Sequence, residues 1–224
     1  MSNGFQLFPT LRALNVPMPQ GVLQLGASYG QELQEFFDNG IRCGVFIEPL
    51  PEPYQHLSGL CQQLPNFIAV NTLCADEPGR SFTFHLASNG GMSSSILEPD
   101  RHLDVNPNVT FNGTVQITSS TVDQVANFLR ANQHAATVDA LDLLYMDCQG
   151  AEFKILQGAP AMLRQVKYIY TEAMRGSLYK DQVPFLAYCN FLEAVGFTLN
   201  DVHFDHPALA GNALFVRKDV LGIH

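Results

Sequence analysis

The chain has 224 residues, 46% hydrophobic and 15% charged, the balance of a folded globule with a sizeable core and not of a disordered chain. Its 21 acidic residues outnumber 12 scattered basic ones, for a net charge of −9, which argues against a nucleic-acid or anionic-membrane partner. No apolar run is long enough to span a bilayer and residues 1–20 carry no signal-peptide block, so the expectation is one cytoplasmic domain over 1–224 with 1–20 as a lead-in.

From about Val22 onward the pattern alternates strand and helix. Val22-Leu23-Gln24-Leu25 is a short apolar run ending at Gly26, which predicts a buried parallel strand. Gln31 to Asn39 has Leu33, Phe36 and Phe37 at helical spacing and stops at Gly40. Gly44 to Ile47 reads as the second strand, Pro51 to Gln63 as a helix with Pro at its start, and Phe67 to Val70 as the third strand. Ser81 to Leu86 alternates polar and apolar, a half-exposed strand, and a loop rich in Gly, Ser, Asn and Pro follows from Asn89 to about Gly113. A loop this long is either functional, here a substrate lid, or disordered. Thr121-Val122-Asp123-Gln124 predicts a capping box opening a helix to about Asn132. Leu141 to Met146 is the next buried strand, and Glu152 to Val166 a helix that Pro160 breaks or kinks. Tyr168 to Tyr170 is a strand, Pro184 to Val195 a helix closed by Gly196, and Ala213 to Val216 the last strand. Such alternation implies a mainly parallel sheet covered on both faces, with ligands at the carboxyl ends of its strands.

Candidate functional residues follow those strand ends. Gly26-Ala27-Ser28-Tyr29-Gly30 is a tight turn whose glycines let the backbone bend and approach a ligand, next to free helix N–H groups. It lacks the third glycine of a dinucleotide fingerprint. Glu48-Pro49 stands about 20 residues beyond, the spacing at which a carboxylate holds a ribose; an exposed helix-start acid is the alternative. In Ala75-Asp76 the acid either accepts a bond from an adenine amino group or simply forms the turn before Pro78-Gly79. Asp147 and Glu172 stand at two further strand tips, and His85 is a third candidate base, on a strand where it faces either the site or solvent. The five cysteines, Cys43, Cys61, Cys74, Cys148 and Cys189, form no CxxC pair and read as buried reduced thiols. His203-Phe204-Asp205-His206 has metal-ligand chemistry but reads as a solvated turn, so no metal is expected.

Taken in order, several of these segments resemble the FkbM family of methyltransferases. The run from Val22 to Phe46-Ile47-Glu48-Pro49 is similar to its motif I and acidic partner. Asp147-Cys148-Gln149-Gly150-Ala151-Glu152 resembles its "D-V-E-G-A-E" signature, and Gly91 to Ile96 its serine-rich loop. Tyr170-Thr171-Glu172, Phe191 to Phe197 and Gly211 to Val216 resemble its later elements. The resemblance implies a Rossmann-like class I methyltransferase fold: a mainly parallel seven-stranded sheet, its last strand antiparallel, with helices on both faces. It implies S-adenosylmethionine as cofactor and methyl transfer to a hydroxyl of a sugar, glycan or small natural product. Gly26, Ala27, Ser28, Tyr29 and Gly30 would then hold the methionine moiety, Glu48 with Pro49 the ribose, and Ala75-Asp76 the adenine side. Asp147 would lie near the sulfonium, and Ser94, from the serine-rich loop, would also bind the cofactor. Two positions depart from the family pattern: Gln24 stands where Asp is usual, and Gln149 where Glu is usual. They leave open a non-catalytic cofactor-binding module, while a nicotinamide-dependent oxidoreductase is a further alternative on a similar fold.

Overall fold

The structure, a computed structural model, describes residues 6–204 and 210–223. A short helix α1 (Leu7–Ala13) lies in the segment expected to be a lead-in, anchored by the buried Leu7, Phe8 and Leu11. Strands β1 (Gly21–Leu25), β2 (Cys43–Ile47) and β3 (Phe67–Val70) then alternate with helices α2 (Leu33–Asp38) and α3 (Pro51–Cys61). The two-residue β4 (Leu73–Cys74), β5 (Ser81–Ala87), the single-turn α4 (His102–Val105) and β6 (Phe111–Ser120) follow. Helix α5 (Val122–Leu129) runs through a π turn at Arg130–His134 into α6 (Ala135–Asp139). The second half is β7 (Leu143–Met146), α7 (Glu152–Gln157), α8 (Pro160–Gln165), β8 (Tyr168–Met174), α9 (Phe185–Ala194), β9 (Phe197–Phe204) and β10 (Ala210–Arg217).

Seven strands form one sheet in the order β3-β2-β1-β7-β8-β10-β9. The first five run parallel, and β10 is antiparallel to both of its neighbours. All five residues of β1 and of β2 are buried, as both-face burial requires. Leu23, Leu25, Val45 and Leu144 face a core closed by α5, α7, α8 and α9. Val22, Phe46, Leu143 and Tyr145 face the other layer, closed by α1, α2 and α3. Chain order reverses between β1 and β7, so the switch-point crevice opens there.

The expected mainly parallel seven-stranded sheet is therefore present. The capping box forms: Thr121 Oγ1 accepts from Gln124 N at 3.2 Å, and Thr121 N donates to Gln124 Oε1 at 3.4 Å. The break near Pro160 falls at Gly158-Ala159, and the new helix start is bonded by Asp123, whose oxygens accept from Ala161 N and Met162 N at 2.7 and 2.9 Å.

The helix from Thr121 is α-helical to Leu129 and leaves helical geometry at Asn132 and Gln133, about where it was expected to end. Other expectations need correction. The loop from Asn89 to Gly113 holds α4, pairs Ser95 with His85, and already contains the start of β6. Strand β6 escapes a pattern reading because most of it is exposed and only Phe111, Val115 and Ile117 of its residues are large and apolar. With β4 and β5 it makes a separate three-stranded sheet, order β4-β6-β5.

Candidate active site

The turn after β1 is stitched to both neighbouring strands. Gly26 N and Ala27 N donate to Ile47 O of β2 at 3.1 and 3.0 Å. Gly26 has φ +72°, and a Cβ there would sit 2.0 Å from the carbonyl oxygen of Asp147, so only glycine fits between β1 and β7. Ser28 is in the left-handed region, φ +45°, which turns its N–H onto Glu48 Oε2 at 2.9 Å. Leu50 N binds the other oxygen, Oε1, at 2.8 Å. Glu48 is thus a buried carboxylate on two backbone donors, with burial pushing its carboxyl up and the Leu50 and Ser28 bonds opposing that rise.

A cavity opens over the ends of β1, β2 and β7. Gly26, Glu48, Pro49 and Asp147 line its floor, and Gly91, Met92 and Ser94 come from the loop after β5. Thr72, Leu73, Cys74, Phe84 and Ile96 supply the rest of a largely apolar wall that the sequence reading did not single out. Such a wall with few polar groups suits a planar base and a ribose.

Not every expected residue reaches that wall. Ala27 and Gly30 are buried beneath the turn. Tyr29 lines an adjoining groove with Pro49 and Leu50, its carbonyl taking His56 Nδ1 at 3.0 Å. Ala75 is fully buried behind the wall. Asp76 ion-pairs with Lys154 at 3.6 Å and Arg80 at 3.8 Å, and its Oδ1 is buried with no partner. His85 bonds through its backbone to Ser95, while its neighbour Phe84 takes the cavity side; alternate residues of a strand face opposite ways, so His85 is not brought to Asp147. His203 lies on β9, and Asp205 and His206 lie outside the described residues. Among the described residues no group of three His, Cys, Asp or Glu could hold a metal.

The chemistry concentrates around Gln149, which has φ +54° in the turn after β7. Its Nε2 donates to Asp147 Oδ1 at 2.7 Å and to Glu172 Oε2 at 3.1 Å. Its Oε1 lies 2.9 Å from the Tyr179 hydroxyl, which is also 3.0 Å from Ser93 O and shares its single proton between the two. The two carboxylates, which need a donor, fix which end of the amide faces them. Ser95 Oγ donates to Gln149 O at 2.8 Å, tying the serine loop to the same turn. Glu152 is not merely a helix-start acid: its Oε1 accepts from Cys148 N at 2.7 Å and closes the turn.

Three carboxyls so close in dense protein hold protons tightly. Burial pushes Asp147 up to about 6 although it is open to solvent at the cavity floor, with the Gln149 bond opposing and Glu32 adding to the rise. Burial pushes Glu152 up to about 7. Burial, then the Asp147 and Glu152 charges, hold Glu172 well above the usual carboxylate range. The Asp147–Glu172 pair, bridged by the Gln149 amide, is thus held where proton affinity is raised, which suits it to taking up a proton.

The residues present fit S-adenosylmethionine: a glycine turn beside a buried carboxylate on two N–H donors, and a largely apolar wall. Comparison with known proteins agrees. The methyltransferase FkbM domain matches residues 24–199. The 2-O-methyltransferase NoeI of Sinorhizobium fredii is 26% identical over 178 residues, covering 76% of this chain and 70% of that protein. Among solved structures, the S-adenosylmethionine-bound magnesium protoporphyrin IX methyltransferase of Synechocystis PCC 6803 superposes with a TM-score of 0.50 over 95% of this chain and 76% of that one, at 8% identity. A candidate S-adenosylmethionine-dependent methyltransferase from Listeria monocytogenes gives 0.50 over 93% and 97%, at 10% identity. At such identities these two speak for the fold alone. Among the described residues no helix is long and apolar enough to cross a membrane. The domain match sets aside the oxidoreductase and the non-catalytic module, and the chain belongs to the FkbM family of methyltransferases, enzymes that use S-adenosylmethionine.

Proposed function

We propose that this methyltransferase, acting as one domain, O-methylates a hydroxyl of a sugar, glycan or small natural product. The observation that carries the reading is the Asp147–Glu172 pair bridged by one amide at the ends of β7 and β8. A hydroxyl nucleophile must lose its proton as it attacks, and this pair offers an acceptor next to the cavity. The 2-O-methyltransferase named above supports a hydroxyl acceptor. The net charge of −9 speaks for a small or neutral acceptor and against nucleic acid.

Bound S-adenosylmethionine supplies an electrophilic methyl group on its sulfonium. Glu48 holds the ribose. Gly26 to Gly30 carry the methionine end, with Ser94 across the cavity. Asp147 takes the acceptor's proton while Gln149 holds it in place beside Glu172. Gly91, Met92 and Ser94 put the loop after β5 on the cavity wall, where it serves as a lid over the acceptor.

The test is to incubate the protein with cofactor and a panel of hydroxylated acceptors and read the gain of one methyl by mass. Asp147→Asn is expected to lose about 10²- to 10⁴-fold in turnover while still binding S-adenosylhomocysteine. Wild-type turnover in that variant would remove Asp147 from its role.

A further inference from the structure

Position 24 of β1 carries a neutral amide, and a carboxylate stands next to it on a different element. Gln24 is 1% exposed, on the sheet face between Phe46 and Tyr145. Its Nε2 donates to Glu32 Oε2 at 2.9 Å, while its Oε1 is buried with no partner. Gln24 precedes the Gly26–Gly30 turn by two residues and Glu32 follows it by two, so the pair clasps the turn from both sides. The Glu32 charge is also felt at Asp147 across the strand ends. The pair thus holds one carboxylate and one orphaned carbonyl oxygen beside the turn, both acceptors.

An α-ammonium has the opposite character: a positive charge, three N–H donors and no acceptor. We propose that Glu32, oriented by Gln24, binds the α-ammonium group of the cofactor's methionine moiety. The anionic group is displaced from the strand to the residue before α2, with the amide of Gln24 fixing its position and its own Oε1 taking a further N–H. A charge-assisted bond of this kind discriminates a ligand with the ammonium from one without. The inference rests on the cofactor and not on the identity of the acceptor.

The experiment is calorimetric titration of the full chain with two probes: S-adenosylhomocysteine, and 5′-methylthioadenosine, which lacks the amino and carboxyl groups. Glu32→Gln, isosteric and uncharged, is expected to weaken S-adenosylhomocysteine about tenfold or more and to leave 5′-methylthioadenosine within about twofold. Glu32→Asp, which keeps the charge, is expected to retain most of the affinity for S-adenosylhomocysteine. Equal losses on both probes, no loss on the first, or a loss in Glu32→Asp as large as in Glu32→Gln would each overturn the proposal. None of these readouts depends on the acceptor or on turnover, so a failed search for the acceptor leaves this test standing by itself.

Discussion

Glu48→Gln separates a residue that fastens the fold from one that holds the cofactor. The wild-type carboxylate is 5% exposed and accepts from Ser28 N and Leu50 N at 2.9 and 2.8 Å. A carboxamide has one accepting oxygen, so one of the two N–H groups must face an amino group. An unsatisfied donor costs about 1–3 kcal/mol, offset in part because a buried charge is also removed. The net loss should be about 1–2 kcal/mol, which in a domain of this size lowers the melting midpoint by roughly 2–8 °C. Cofactor binding loses a charge-assisted bond to a ribose hydroxyl, about 1.5–3 kcal/mol, and the Kd for S-adenosylhomocysteine should rise roughly ten- to a hundredfold. Calorimetric titration and a thermal melt on the same sample read both. A lower melting point with an unchanged Kd would refute the assignment and leave Glu48 as a clasp on the glycine turn.

Gly26→Ala should abolish soluble expression, since its Cβ meets a backbone oxygen at 2.0 Å that no rotamer can avoid; a folded variant of wild-type stability would show that β1 and β7 separate easily. Gln149→Glu adds a fourth carboxyl to Asp147, Glu152 and Glu172, so the pH–rate profile should shift alkaline and turnover at pH 7 should fall about tenfold or more, which a profile superimposable on wild type would contradict. Glu152 binds its proton more tightly folded than unfolded, up to about 7 against 4.5, so its contribution to stability is full below pH 4.5 and lost as pH rises through 7. Thermal melts should therefore drop between pH 5 and pH 8, and Glu152→Gln should make that drop shallower, Asp147 and Glu172 still contributing in the same direction; an equal slope would exclude Glu152 as its source.

How much of this was legible depended on whether a local signal was tied to one residue type. The buried strands β1, β2 and β7 are continuous apolar runs, and the glycine turn, Glu48 and Asp147 follow at their ends. Thr121 and Gln124 announce their helix because both halves of a capping box lie within four residues. Strand β6 has no such mark: its pairing with β5 is backbone chemistry that exposed Thr, Asn and Gln side chains do not disclose. Gln149 could be noticed as an unusual amide, but that it bridges Asp147 and Glu172 depends on a contact 23 residues along the chain. Glu32 carried no signal of its own because its partner Gln24 lies across a turn, eight residues away. His85 shows the reverse error: residue type suggested a base, and strand parity turned it away from the cavity.

The small sheet of β4, β5 and β6 stands apart from the seven-stranded one, yet Leu73, Cys74 and Phe84 reach the cavity from it and its loop supplies Gly91, Met92 and Ser94. One cavity is therefore walled by both sheets, and the excursion of β5 and β6 touches the cofactor's seat as well as the acceptor's. Chimaeras that exchange residues 81–120 should change acceptor choice and cofactor affinity together, unless Phe84, Gly91, Met92, Ser94 and Ile96 are kept from the recipient.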